Sequence, residues 1–206
     1  MSVAIVQDIG PDAVEAVIEA GRFAAARGWV PATSGNFSAR KPDGTIAITA
    51  SGVDKGALAA RDVLEIAVDA PPPSGSSAET GLHLALYRRY PTIGAVVHIH
   101  SPHATVLSKR SDAAGEIRLE DYELLKAFAG IRTHKTRLAV PVFANSQDIA
   151  ALADEVDRRL DQAPQAPGYL LAGHGLYAWG ATMRDALRHA EAFEFLFGCE
   201  LVGAGA

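Results

Sequence analysis

With 206 residues, 49% hydrophobic and 21% charged, the chain has the composition of a globular protein with enough length for a sizeable core. A net charge of −5 gives no basic footprint for nucleic acid, and no apolar run is long enough to span a bilayer, so neither is an expected partner. One cysteine, Cys199, excludes an intrachain disulfide. The stretch from Met1 to Asp8 lacks the basic start and long apolar core of a signal peptide, so a cytoplasmic protein is expected.

Asp12 to Arg27 reads as a helix with Val14, Val17, Ile18, Gly21 and Ala25 on one face, Pro11 at its start and Gly28 at its stop. The segments Asn36 to Arg40 and Thr45 to Thr49 flank Pro42-Asp43-Gly44, a hairpin signal. Val63 to Val68 is a further strand, followed by a proline- and serine-rich surface loop over 71–76. A helix is predicted from Ser77, as N-cap, to Tyr90, then a strand from Ala95 to His98. A short helix after Pro102 and another over Tyr122 to Phe128 precede the strand Leu138 to Val142. Ser146 caps a predicted helix running to Leu160. Tyr169 to Leu171 and Leu176 to Trp179 are strands on either side of His174. The last helix runs from Thr182 to Val202, with Met183, Leu187, Ala190, Phe193 and Phe197 on its apolar side. Neighbouring strands with few regular βαβ units predict a layered sheet covered by helices, in one domain over 1–206.

Residues two apart on a strand share a face, so His98 and His100 can grip one ion together. His174, between Gly173 and Gly175, can close a three-nitrogen site from another strand end. Three protein ligands with an open fourth position form the pattern of catalytic zinc. A lone His-x-His is as often a pair of ordinary sheet histidines; the glycine-flanked third histidine favours the metal. His103 follows Pro102 on a helix start and is expected to face away. His83, His134 and His189 lack partners at useful spacing and read as structural or exposed.

Glu79, nineteen residues before His98, is a candidate base. The plainer alternative is a first-turn glutamate favoured by the helix dipole, and the base reading calls for burial to lift its pKa. Thr33-Ser34-Gly35-Asn36, Ser51-Gly52 and Ser77 are small-residue turns and a helix start that could receive an anion through hydroxyls and backbone N–H groups. Each alone is an ordinary turn or cap; together with a metal site they point to a phosphorylated substrate. Neither a Walker motif nor a dinucleotide fingerprint is present. Lys55 could add charge to the same region but reads first as solvent-facing. Cys199 is not assigned as a nucleophile, and Trp29, Tyr177 and Trp179 read as packing residues.

In this order the pieces resemble the class II aldolase/adducin family, over nearly the whole chain. The resemblance extends to Pro31–Ser38, Ala50–Gly56, Ser77–Thr80, Pro141–Ile149 and Gly173–Gly180. It implies a three-layer α/β/α fold with a central, mainly antiparallel sheet. It implies one zinc ion per subunit held by His98, His100 and His174, with Glu79 as acid/base. Thr33, Ser34, Gly35, Asn36, Ser51, Gly52 and Ser77 would surround the substrate phosphate. The implied assembly is a homotetramer with sites at subunit interfaces. The implied activity is zinc-dependent loss of water from a phosphorylated ketose of methionine salvage. Aldol cleavage or epimerisation of another sugar phosphate is the alternative, and a non-catalytic adducin-like binding module a third reading. The family's sugar-phosphate aldolases carry Ser-Ser before the glutamate, where this chain has Ser77-Ala78. They also use a tyrosine from a neighbouring subunit, for which Tyr122 is the candidate here.

Overall fold

The structure, a computed structural model, describes residues 12–162 and 166–203; Pro11, read above as a helix start, lies outside them. Helix α1 (Ala13–Ala26) is capped by Asp12, whose carboxylate accepts the Val14 N–H. It buries Ala13, Ala16, Val17, Ile18, Ala20, Gly21 and Ala24. The inward face is thus rotated toward the small residues, leaving Val14 and Ala25 half-buried. The small side chains let the helix lie close to the sheet.

Eight strands form one sheet among the described residues. They are β1 (Asn36–Arg40), β2 (Ile46–Thr49), β3 (Val63–Ile66), β4 (Ala95–Ile99), β5 (Glu116–Glu120), β6 (Arg137–Phe143), β7 (Gly168–Leu171) and β8 (Gly175–Gly180). Their spatial order is β3-β2-β1-β4-β8-β7-β6-β5. Every adjacent pair is antiparallel except β6 and β7. Helices α3 (Pro102–Arg110) and α5 (Met183–Gly203) join α1 on one face; α2 (Thr80–Arg89) and α4 (Ile149–Leu160) cover the other. The three-layer α/β/α arrangement with a mainly antiparallel sheet is as expected. Strand β5 was not expected from the sequence, although it alternates exposed Arg118 and Glu120 with buried Ile117 and Leu119. The segment over Tyr122 to Phe128 is a 3₁₀ turn over Glu123–Ala127 rather than an α-helix.

Two predicted helix starts move by the same device. Helix α2 begins at Thr80 with Glu79 as N-cap, because the Ser77 hydroxyl accepts the Glu79 N–H and holds a turn ahead of the helix. Helix α4 begins at Ile149 with Asp148 as N-cap, and the Ser146 hydroxyl accepts the Asp148 N–H. Serine–backbone bonds two residues apart compete with helix formation.

Strand periodicity sorts the site. Phe37, Ala39, Val97, Ile99, Leu176 and Ala178 point to the α1/α3/α5 side. Their neighbours Asn36, Ser38, Val96, His98, Tyr177 and Trp179 therefore point to the α2/α4 side. Pairing places Asn36 opposite His98, His98 opposite Tyr177, and Tyr177 opposite Tyr169, one row across four strands. Strand β8 starts where a Cβ on Gly175 would lie 2.2 Å from the Ile99 carbonyl oxygen. Gly175→Ala must push β8 away from β4, so an overpacking loss of about 1–3 kcal/mol is expected in denaturant unfolding.

Candidate metal centre and active site

His98 leaves β4 on the α2/α4 side and is fully buried. Tyr177 stacks on its ring at a centroid distance of 4.1 Å and an interplanar angle of 16°. Its Nδ1 lies 3.1 Å from the Leu176 carbonyl, an acceptor, so Nδ1 carries the proton and Nε2 presents a lone pair. His100 sits one residue past the strand, anchored by its backbone N–H to the Trp29 carbonyl at 2.8 Å. Its Nε2 lies 2.9 Å from that of His98. His174 enters from the β7–β8 turn, where Gly173 adopts a φ of +65°. Its Nδ1 is 3.2 Å from the Asn145 amide oxygen. One ligand atom from each of the three histidines falls within a 4.8 Å span. Burial pushes His98 well below its ordinary pKa and His100 down to about 4. Neutral imidazoles with lone pairs aimed at one point are what a metal needs. The three histidines could hold one ion.

Glu79 closes this cluster. Its Oε1 lies 2.9 Å from His174 Nε2 and its Oε2 lies 3.5 Å from His98 Nε2. The Asn36 amide donates to Oε2 at 2.8 Å. Burial opposes its ionisation, but its hydrogen bond with His174, the neighbouring His98 and His174 rings and the Asn36 amide hold the carboxyl well below the usual carboxylate range. The expected upward shift is therefore reversed: the side chain is partly wet and faces imidazoles rather than an apolar wall.

The anion-binding candidates other than Asn36 lie on turns that neighbour one another. The Ser51 N–H donates to the Gly75 carbonyl, and Ala50 bridges Ser76, which sets Ser51-Gly52 beside the segment leading to Ser77. Ser34 Oγ is buried without a hydrogen-bond partner. Lys55 corrects its reading as solvent-facing. It is 2% exposed, and its ammonium donates to the carbonyls of Thr33 and Val53, both at 2.9 Å. A buried cation thus ties the two turns together from behind, with no carboxylate within ion-pair distance among the described residues. Asn36 stands apart from the anion turns: it is buried and both ends of its amide are bonded elsewhere.

Other readings resolve simply. His103 is half-exposed and bonded to Glu194, which also accepts from Ser101. His134 is exposed beside Glu123, and His189 is buried against the Trp179 carbonyl. The Tyr122 hydroxyl donates to Glu200 on α5 at 2.8 Å. Sequence reasoning missed two residues next to the centre, Asn145 and His83. For His83 a signal existed: it lies four residues after Glu79, on the same side of the helix.

The family description Class II Aldolase and Adducin N-terminal domain matches residues 15–201. The chain belongs to this family. It is 53% identical over 192 residues to the methylthioribulose-1-phosphate dehydratase of Marinobacter nauticus, covering 92% of each chain. It is 55% identical over 190 residues to that of a Bradyrhizobium species, covering 90% of this chain and 88% of the relative. Among solved structures, L-fuculose-1-phosphate aldolase from Thermus thermophilus superposes with a TM-score of 0.75 at 30% identity, over 93% of each chain.

Proposed function

We propose that this chain is a hydro-lyase converting 5-methylthioribulose 1-phosphate to 2,3-diketo-5-methylthiopentyl 1-phosphate, with zinc held by His98, His100 and His174 and Glu79 as acid/base. The observation that carries the reading is the Glu79 carboxylate 2.9 Å from His174 Nε2, beside two neutral imidazoles whose nitrogens converge. The family relatives named for this reaction, at 53% and 55% identity, support the substrate. Three imidazole nitrogens without a thiolate suit zinc.

When bound, the ion would supply Lewis-acid stabilisation of the negative charge that develops as the substrate is deprotonated. Glu79, kept ionised, takes the C3 proton that the neighbouring ketone acidifies. It returns that proton to the C4 hydroxyl as this leaves as water, and the resulting enol tautomerises to the diketone. Ser34, Gly35, Ser51, Gly52 and Ser77 receive the phosphate through hydroxyls and backbone N–H groups, with Thr33 shaping the first turn. The proposal takes the chain as one domain acting as a cytoplasmic homotetramer, the assembly implied by the family resemblance. Product analysis tests it: water loss to the diketone supports the dehydratase, whereas aldehyde release or inversion at a carbinol carbon assigns an aldolase or epimerase instead.

Lys55 gives this site a measurable signature. Its ammonium ties the carbonyls of Thr33 and Val53 together, so Lys55→Met is expected to loosen both turns and raise KM for the phosphorylated substrate about 10–100-fold with a smaller change in kcat. Inhibition by inorganic phosphate should weaken in parallel. A KM unchanged in the folded variant would place the phosphate elsewhere.

A further inference from the structure

Behind Glu79 lies a run of buried polar groups that the chemistry above does not use. Asn36 accepts at Oδ1 from His83 Nε2. His83 Nδ1 lies 2.7 Å from Ser38 Oγ, which lies 3.0 Å from the Tyr87 hydroxyl. His83 and Ser38 are fully buried, and Tyr87 and Asn36 nearly so. Two periodicities make the run possible. Glu79, His83 and Tyr87 recur every four residues along α2, a rise of about 6 Å per step. Asn36 and Ser38 are two apart on β1, a rise of about 6.6 Å. The helix stripe and the strand face therefore stay in step.

The direction of every bond follows from its Glu79 end. An ionised carboxylate only accepts, so Asn36 must turn its NH₂ toward Glu79 and its oxygen toward His83. That oxygen only accepts, so His83 must carry its proton on Nε2. Neutral His83 then has a bare Nδ1, to which the Ser38 hydroxyl donates, leaving Ser38 to accept from Tyr87. Burial lowers the His83 pKa to about 4, in keeping with the neutral ring.

We infer that His83 is a positioning residue: with Asn36, Ser38 and Tyr87 it forms a one-way chain of hydrogen bonds that fixes Glu79 by Oε2 and leaves Oε1 as the oxygen that carries the substrate proton. Oε2 already receives the Asn36 donor, so a proton placed there would face another N–H. Oε1 faces the histidine cluster, where the substrate's reacting carbons must lie. Because every group in the chain is buried and each has its partner, rotation of the carboxylate would strand several of them at once.

The inference rests on Glu79 as the base, and the experiment separates the two. In the zinc-loaded enzyme, nitrogen NMR of labelled histidine is expected to show His83 as the neutral Nε2–H tautomer. His83→Leu is expected to lower kcat about 10–100-fold, the scale of outer-shell partners, at unchanged zinc content and little-changed KM. His83→Gln, which restores a donor near the Nε2 position, should recover much of that loss. A purely structural role would lower the melting temperature and leave kcat per folded site alone. A wild-type kcat in folded, zinc-loaded His83→Leu, or an Nδ1–H tautomer in the wild type, overturns the inference. If His83→Leu does not fold, the tautomer and the kcat of Ser38→Ala, expected to fall with the loss of the Nδ1 donor, decide it. Full activity in Glu79→Gln would instead remove the base itself, whereas an inactive Glu79→Gln beside an unaffected His83→Leu would remove only this chain of bonds.

Discussion

Glu79→Gln is expected to keep the fold and the metal while lowering kcat about 10²–10⁴-fold, the range for loss of a general acid/base. The substitution preserves size, and a glutamine oxygen can still accept from Asn36, whose amide sits 2.8 Å from Oε2. What disappears is the ability to take a proton at Oε1, the atom 2.9 Å from His174 Nε2. Were Glu79 only the N-cap of α2, the change would remove a helix-dipole contribution of roughly 0.3–1 kcal/mol and leave turnover nearly intact. Its side chain makes no capping hydrogen bond, which speaks against that role. Steady-state kinetics with metal analysis separates the two. Solvent exchange of the C3 hydrogen gives a second measurement where proton removal is reversible. A fully active Glu79→Gln enzyme with normal metal content would shift attention to other carboxylates, beginning with Glu123, which lies exposed beside Lys126 and His134.

Removing one histidine of the cluster is expected to remove metal and activity together. His100→Ala is the cleanest variant, since His100 is only partly buried and its backbone anchor to Trp29 does not involve the ring. Outer-shell partners of metal ligands are worth about 10–100-fold in affinity, so loss of a ligand itself should exceed about 100-fold. Elemental analysis should give one zinc per wild-type chain, and a chelator should abolish activity until zinc is returned. His103→Ala serves as the contrast. That ring is held by Glu194 and should leave both metal and turnover unchanged. Retention of one equivalent of metal by His100→Ala would refute the three-histidine assignment.

The cluster was legible because each histidine sits beside a strong local signal: a period of two in β4, and glycines on both sides of His174. The layered sheet was legible for the same reason. Less visible were features set by partners distant in sequence. Lys55 looks like any surface lysine until the carbonyls of Thr33 and Val53 wrap its ammonium. His83 looks isolated because its partners Asn36 and Ser38 lie on a strand more than forty residues away. The misplaced starts of α2 and α4 share a cause, since Ser77 and Ser146 carry cap chemistry but use it on a turn one step earlier. Strand β5 was missed because its register is supplied by β6, not by a turn of its own.

The row Asn36, His98, Tyr177 and Tyr169 draws on strands β1, β4, β8 and β7. A slip of β4 by a single residue would send His98 to the opposite face and bring Val97 or Ile99 in its place, breaking up the histidine cluster and stranding the carboxylate. An ion bound tightly only by the correctly paired sheet would stabilise that pairing and no other, in proportion to its concentration over its dissociation constant. The three nitrogens proposed to hold the ion would then also act as a proofreader of strand pairing, favouring the native alignment after the chain has collapsed.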